Sequence, residues 1–144
     1  MSALDRERKT RKLSETTMVN LLVFPVKGGT KIFLGAMVVL SAGFLAPGSA
    51  ATGLIAVGVA EYTVDNTTGK DGDQPLRIRQ GTFEMFNGTG ADVIAQADVG
   101  KDCYIVDDQT VAKTDAAGTR SRAGKILGLS DDGRFVWVQI GIGL

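Results

Sequence analysis

The apolar residues of this chain fall into short runs separated by glycine, aspartate and asparagine, a pattern typical of β-strands joined by tight turns. The longest apolar stretch, from Lys31 to Tyr62, reads "KIFLGAMVVLSAGFLAPGSAATGLIAVGVAEY" and carries no charge between Lys31 and Glu61. Its two ends, "KIFLGAMVVL" and "GLIAVGVAEY", have the valine, isoleucine and leucine content of strands covered on both faces. Because "APGS" between them indicates a turn, the stretch predicts a buried β-hairpin.

The same stretch has two other interpretations, a membrane span and a secretion signal. A spanning helix needs about 20 predominantly apolar residues in an unbroken run. Here glycines and one proline interrupt the run, and the pieces between them are too short to span. A signal is disfavoured because the basic cluster from Arg6 to Lys12 is followed by the polar "SETT". Both interpretations are weaker than the buried hairpin, and a membrane-associated protein anchored by residues 32–60 is the alternative hypothesis.

The N-terminal segment differs in composition from the rest of the chain. In "MSALDRERKTRKLSE" eight of fifteen residues are charged, five basic and three acidic. Such a segment has too little apolar surface to offset the entropy lost on ordering, which predicts an extended arm held by a partner. The following "TTMVNLLVFPV", Thr16 to Val26, has the pattern of a strand that pairs with another chain. We expect an arm over residues 1–29 and a β-domain over residues 30–144.

The remaining segments also predict strands and turns. In "PLRIRQG", Leu76 and Ile78 alternate with Arg77 and Arg79, the pattern of a half-buried strand. "KDCYIVDDQTVAK" and "AGKILGLSDDGRFVWVQIGIG" each predict a hairpin with an aspartate-rich turn, and "ADVIAQADVG" predicts one short helical turn. The expected fold is all-β, a small β-sandwich or barrel with an extended N-terminal arm.

Composition narrows the classes of function. The 144 residues fit one domain, and 16 basic residues balance 16 acidic ones, so bulk charge favours neither a nucleic-acid nor an anionic-membrane partner. The basic residues of the arm are offset by its acidic ones and have no aromatic residues among them, a weak footprint for nucleic acid. A single cysteine cannot form an intramolecular disulfide, which fits a reducing compartment. The absence of histidine removes the commonest general base and the commonest metal ligand.

The candidate chemical groups favour structural roles. Cys103 in "DCYIV" has no histidine to activate it, so we expect a buried strand cysteine. Asp107-Asp108 and Asp131-Asp132 lie in predicted hairpin turns, where aspartate hydrogen-bonds to nearby backbone. No combination of residues supports catalysis, and we expect a protein that is not an enzyme and needs no cofactor or metal.

Basic and aromatic residues in the strands allow two interpretations. Arg77 and Arg79 form either a solvated strand face or a pair that binds an acidic partner. The same two interpretations apply to three residues of "TRSRAGK": Arg120, Arg122 and Lys125. Trp137 alternates with Phe135 and Gln139, and we expect it to lie in the core.

The order of five segments resembles that of a known family. The segments are "GAMVVL", "GLIAVGVAEY", "GTFEMFN", "ADVGKDCYIVDDQTVAKT" and "AGKILGLSDDGRFVWVQI". Their order resembles the small capsid decoration (cement) proteins of tailed bacteriophages, over about residues 35–140. Those proteins share a Gly-x-x-Val opening, an aliphatic Gly-Val-Ala strand, a Gly-x-Phe strand and a C-terminal Val-x-Val. The charged arm departs from the shorter members, which begin close to the first strand.

The resemblance implies a protein without enzymatic activity that binds the outer surface of the expanded capsid and holds major capsid subunits together. It also implies a homotrimer, made in the host cytoplasm and located on the virion, with no nucleic-acid or membrane partner. A charged arm suits such attachment through ion pairs and strand addition. The residues expected to contact the capsid are Arg6, Arg8, Lys9, Arg11, Lys12, Val19, Leu21 and Val23.

Overall fold

The structure is a computed structural model that describes residues 21–144. The regular secondary structure of this part of the chain is all β-strand, apart from the 3₁₀ turns Gly90–Asp92 and Gln96–Asp98. Its strands are β1 (Leu21–Pro25), β2 (Thr30–Ile32), β3 (Met37–Ser41), β4 (Phe44–Pro47), β5 (Ile55–Ala60), β6 (Val64–Asn66), β7 (Pro75–Arg79), β8 (Gly81–Phe86), β9 (Asp102–Ile105), β10 (Val111–Ala112), β11 (Arg122–Leu129) and β12 (Phe135–Ile140). The all-β class expected from the sequence is confirmed. The segment "ADVIAQADVG", predicted to form one short helical turn, contains the second 3₁₀ turn and the last two residues of the first.

Residues 21–79 form a first lobe around one five-stranded antiparallel sheet. Its strand order is β1-β7-β5-β3-β4, and the short pair β2-β6 lies beside it. The sheet curls until its edge strands approach each other, where Val26 and Leu45 form a parallel bridge and the Lys27 N–H donates to the Leu45 carbonyl at 2.9 Å. The first lobe therefore has the geometry of a small, partly closed barrel.

Residues 80–144 form a second lobe with a similar construction. A second antiparallel sheet has the order β10-β9-β11-β12-β8. Its edge strands also meet, through a parallel bridge between Phe86 and Thr110 and a 2.8 Å hydrogen bond from the Phe86 N–H to the Gln109 carbonyl. The predicted hairpins β9-β10 and β11-β12 are both present.

Strand β3 joins the two lobes because both of its faces are buried. Successive side chains of a strand point to opposite faces, so Val38 belongs to the first core while Met37 and Val39 belong to the second. Ala56 of β5 also belongs to the second core, and the remaining buried residues of that core, such as Ile126 and Val138, come from the second lobe. Burying one such aliphatic side chain stabilises the fold by about 1.5–3 kcal/mol, so the shared residues tie the lobes together.

The predicted hairpin turn at "APGS" is wrong. The chain turns earlier, at Ala42-Gly43, where both residues have positive φ (50° and 89°) and Ser41 pairs with Phe44. Two left-handed residues make the turn whose twist suits a two-residue hairpin, so "FLAP" forms β4 and Pro47 ends it. Strand β3 still pairs with β5 on its other side.

The expected pairing of the N-terminal strand with another chain is also corrected. Residues of β1 pair with β7 of the same chain, with Leu22 opposite Ile78 and Phe24 opposite Leu76. Leu22 and Phe24 pack against the first core, which explains why this segment belongs to the domain. The β-domain thus begins by Leu21, whereas the rest of the expected arm, residues 1–20, lies outside the described residues.

Trp137 does not lie in the core. Its side chain is 42% exposed on the outer face of β12, while Val136 and Val138 on the other face are buried. Gly128 on β11 is opposite Trp137, and a Cβ placed there would lie 3.8 Å from the indole Cδ1. The indole therefore covers a strand position that has no side chain. The sequence correctly placed Trp137 on the opposite face of β12 from Val136 and Val138, but the face expected to be buried is the exposed one.

Candidate attachment surface

The outer face of β1 carries the two predicted contact residues that the structure describes. Since side chains alternate along a strand, Leu22 and Phe24 turn towards the first core, and Leu21 and Val23 turn outward. The side chains of Leu21 and Val23 are 48% and 61% exposed. The other predicted contacts, namely Arg6, Arg8, Lys9, Arg11, Lys12 and Val19, lie outside the described residues.

Two arginines of β7 lie beside these apolar side chains. Strand pairing places Leu21 opposite Arg79, and Arg79 in turn opposite Val59 of β5. One step along the same face, Val23 is opposite Arg77. The predicted half-buried strand is confirmed, because Arg77 and Arg79 are exposed while Leu76 and Ile78 are buried. Apolar and cationic side chains therefore alternate across this face.

The two arginines differ in their partners. The Nε of Arg79 donates to Oε1 of Glu61 at 2.6 Å, and the Arg79 side chain remains 59% exposed. Because this contact uses Nε, the terminal N–H groups of Arg79 can still donate hydrogen bonds to a second carboxylate. No carboxylate within residues 21–144 lies at ion-pair distance from Arg77. Among the described residues, the charge of Arg77 on this face is therefore not compensated by an ion pair.

Two adjoining hollows lie next to this ion pair. One, of about 230 Å³, is where the two lobes meet, with Leu34, Val59 and Phe83 as apolar walls and Glu61 and Arg79 as its polar side. The other, of about 430 Å³, shares Glu61 and Arg79 and adds Leu21 and Gln80. We call these two hollows together the attachment groove. A water molecule takes about 30 Å³, so each hollow has room for a side chain.

A tight turn at the rim of the groove exposes two large apolar residues. The Ala36 N–H donates to the Phe33 carbonyl at 3.0 Å, and Gly35 has a φ of 86°, which favours glycine. The Thr63 hydroxyl accepts a 2.9 Å hydrogen bond from the Leu34 N–H. The turn thereby holds Phe33 and Leu34 in solvent, 57% and 65% exposed. Adjacent exposed apolar residues of this kind mark interaction sites more often than isolated ones do.

Sequence reasoning missed most residues of the groove. Leu34, Glu61 and Phe83 come from three separate segments, and only the fold brings them together. A local signal was available for one part, since "IFLG" places two large apolar residues directly before a turn glycine. The sequence analysis instead assigned these two residues to a buried strand of the predicted hairpin.

Cys103 is a buried strand cysteine, as the sequence predicted. It has no exposed surface, and its Sγ lies 3.6 Å from the Gly124 carbonyl oxygen. Burial raises the pKa of the Cys103 thiol to about 12. Because the thiolate is the reactive form, this side chain does not serve as a nucleophile near neutral pH.

The paired aspartates act in turns, which confirms the structural interpretation. Oδ1 of Asp107 accepts a 2.9 Å hydrogen bond from the Gln109 N–H. Oδ1 of Asp132 accepts hydrogen bonds from the Arg134 N–H at 3.0 Å and the Ser130 hydroxyl at 2.8 Å. These bonds hold the pKa of Asp132 below its usual value. Within the described part of the chain, no group of three or more acidic or cysteine side chains is arranged to hold a metal ion.

The basic residues of "TRSRAGK" are engaged within the second lobe. Arg120 contacts Asp92 at 3.2 Å, and Arg122 and Lys125 both contact Asp102, at 2.8 Å and 2.9 Å. The Thr114 hydroxyl and Arg120 lower the pKa of Asp92, and Arg122 and Lys125 lower that of Asp102. The two interpretations considered for these residues, a solvated face and a site for an acidic partner, both omitted such internal ion pairs.

Comparisons of the chain with known proteins found no similar protein. The sequence matches no protein-family model, and neither a curated protein nor a solved structure matches it. In residues 21–144 there is also no helix of the length and apolarity required to cross a bilayer. The apolar segment 32–60 instead forms strands β3, β4 and β5, whose side chains fill the two cores.

Proposed function

We propose that this chain is a capsid decoration (cement) protein of a tailed bacteriophage. It binds the outer surface of the expanded capsid and stabilises contacts between major capsid subunits, as a homotrimer and without enzymatic activity. It is made in the host cytoplasm and resides on the virion. The proposal is supported by the ordered resemblance of five segments between residues 35 and 140, which all fall on elements of one all-β domain.

One structural observation carries the proposal furthest. The N-terminal strand presents Leu21 and Val23 outward, beside arginines and next to the attachment groove. A charged segment of 20 residues precedes that strand. Attachment to a shell requires a rigid body and an adhesive surface but no catalytic group, and the arm and the face of β1 together supply such a surface.

The alternative, a membrane-associated protein anchored by residues 32–60, requires β3, β4 and β5 to leave both cores. Val38, Val39 and Leu45 have no exposed surface. Removing such side chains from a packed interior costs several kcal/mol in total. We therefore favour the capsid over the membrane as the partner.

The proposal is tested by co-sedimentation with expanded, empty heads of the source phage from which the protein has been stripped. The full-length chain is expected to bind saturably, at a fixed ratio to capsid subunits. Deletion of residues 1–15 is expected to weaken binding, and higher salt should weaken it further because part of the attraction is electrostatic. Heads that fail to retain the full-length chain would overturn the proposal.

A matched pair of variants tests the domain's contribution. Leu21→Ser with Val23→Ser removes exposed apolar surface beside the groove, whereas Leu127→Ser removes it from the second lobe, where Leu127 is 50% exposed. We expect the first variant to bind heads more weakly and the second to bind normally. Equal loss in both would mean that the face of β1 has no special role.

A further inference from the structure

The attachment groove combines features that recognise an extended peptide rather than a compact ligand. It is shallow, it lies along strands, and it has apolar walls at Leu34, Val59 and Phe83. Its polar side is the pair formed by Glu61 and Arg79. Sites of this composition fix a ligand by a few polar contacts and gain affinity from apolar burial.

Positive charge beside the groove selects an acidic ligand. Within the groove Glu61 engages the Nε of Arg79, and Arg77, which lies on the same face but outside the lining of both hollows, has no carboxylate partner among the described residues. The net positive charge of these three side chains is complementary to carboxylates. An arginine can bind a carboxylate through two parallel hydrogen bonds, which adds geometric selectivity.

The spacing of the arginines defines the shape of that ligand. Arg77 and Arg79 are two residues apart on β7 and project from the same face. Alternate residues of a strand are separated by about 6.6 Å. An extended peptide has the same repeat, so acidic side chains at positions i and i+2 meet both arginines at once. The next residue on that side, i+4, then reaches the apolar hollow.

We propose that the attachment groove binds an extended segment of the major capsid subunit with acidic side chains at two alternate positions and an apolar side chain two residues further on. This inference rests on the proposed function for the source of the segment. The chemistry of the groove stands independently of that source. Nucleic acid is a poorer match, since apolar walls and Glu61 do not complement phosphates.

The groove is tested first with a synthetic peptide and the full-length chain. The probe is a blocked hexapeptide of glutamate, valine, glutamate, threonine, leucine and threonine in that order, and the control replaces both glutamates by glutamine. Binding is followed by NMR of arginine side chains and of leucine and valine methyl groups. We expect the acidic peptide to shift signals of Arg77, Arg79 and Leu34, and the glutamine peptide to bind at least about fivefold more weakly.

Variants locate the interaction. Arg77→Glu reverses an exposed charge that has no described partner, so the fold should survive, and it should weaken peptide binding by about fivefold or more. Arg134→Glu makes the same change on the second lobe, where Arg134 is exposed, and should leave binding unchanged. Equal affinity of wild type and Arg77→Glu for the acidic peptide would overturn the inference. Tighter binding of a thymidine oligonucleotide at the same residues would overturn it as well.

The two proposals fail separately. If stripped heads bind the full-length chain and the Arg77→Glu variant equally well, the groove is not the capsid contact and the decoration function stands. If the acidic peptide binds at Arg77 and Arg79 while heads do not retain the protein, the groove's selectivity stands and the capsid as its source is rejected. Loss of head binding in Arg77→Glu, but not in Arg134→Glu, supports both.

Discussion

The two lobes have the same construction but use their charged residues differently. In the second lobe, carboxylates and cations neutralise each other, as in the contacts of Asp92 with Arg120 and of Asp102 with Arg122. In the first lobe, Arg77 has no such partner among the described residues, and Arg79 is satisfied through one nitrogen. The second lobe thus uses its arginines in internal ion pairs, whereas the first lobe exposes its arginines to solvent.

This difference teaches that arginines in or beside strands cannot be interpreted from the local sequence alone. Arg120 binds a carboxylate that lies 28 residues away in sequence, on the first 3₁₀ turn. Arg77 lies within a regular sheet, with Val23 opposite it on β1. On its other side the Glu61 N–H donates to the Arg77 carbonyl at 3.1 Å, and the Arg77 N–H donates to the Tyr62 hydroxyl at 3.3 Å. Its backbone is therefore bonded, while its guanidinium has no ion-pair partner among the described residues. A loop that packs against a sheet can supply a carboxylate for a nearby arginine, as Asp92 does for Arg120. A sheet face that no loop covers leaves its arginines available to bind another molecule.

The strongest test of the comparison asks whether the lobes are energetically separate. Leu45→Ala opens a cavity in the first core and Ile126→Ala opens one in the second, since both side chains are fully buried. Each change should lower the free energy of unfolding by about 2–5 kcal/mol. Because Met37 and Val39 belong to the second core, both variants should unfold in one transition. Urea titrations followed by Trp137 fluorescence and by far-UV circular dichroism would disagree if the lobes unfold independently.

A glycine pair in β11 gives a smaller effect with an internal control. A Cβ at Gly124 would lie 2.1 Å from the Gln139 carbonyl oxygen, whereas one at Gly128 would meet Trp137 only at 3.8 Å. Gly124→Ala should therefore destabilise the fold by about 1–3 kcal/mol through backbone displacement. Gly128→Ala should stay within about 0.5 kcal/mol of wild type. Chemical denaturation measures both, and equal stability of the two variants would contradict the close strand contact.

Acid should affect the second lobe through its paired carboxylates. The pKa values of Asp92 and Asp98 are lowered chiefly by hydrogen bonds from Thr114 and the Ala95 N–H, and that of Asp102 by its close contact with Arg122. A lowered pKa in the folded state contributes stability above the ordinary aspartate value, near 4, and loses it as pH falls through the folded value. The melting temperature should therefore be constant between pH 7 and about pH 5 and should fall as the pH is lowered below about 4. Asp98→Asn should flatten that decline, and an acid-independent melting temperature would refute the assignment.

The smallest effect distinguishes the two kinds of arginine directly. Arg120→Ala removes the partner of Asp92 and a 3.1 Å hydrogen bond to the Thr114 carbonyl, so the melting temperature should fall by a few degrees. Arg77→Ala removes no described partner and should change stability by less than about 0.5 kcal/mol. Calorimetry of both variants measures the difference. A larger loss from Arg77→Ala would reverse the contrast between the lobes.

The parts of the fold that depend on neighbouring residues could be predicted from the sequence. The turns at Asp107 and Asp132 were expected because aspartate bonds to backbone two residues away. The alternation of Leu76 and Ile78 with arginines placed β7 correctly. The Ala42-Gly43 turn was missed because alanine rarely takes a left-handed conformation and gives no turn signal.

The rest depends on contacts distant in sequence. Pairing of β1 with β7 joins residues more than 50 positions apart, such as Leu21 and Arg79, and no local pattern specifies it. The same is true of the groove, whose walls include Leu34 and Phe83. Leu21 and Val23 were predicted as contacts from their alternation, and their exposure agrees with that role while leaving the partner a proposal.

The shared strand β3 has a consequence for synthesis of the chain. The first sheet can close once Arg79 has been made, but Met37 and Val39 then face a second core whose strands extend to Ile140. At 5–20 residues per second, the roughly 60 intervening residues take about 3–12 s to translate. Until then the apolar face of the first sheet that carries Met37 and Val39 remains exposed to solvent. Slow translation in that interval would favour aggregation over completion of the fold.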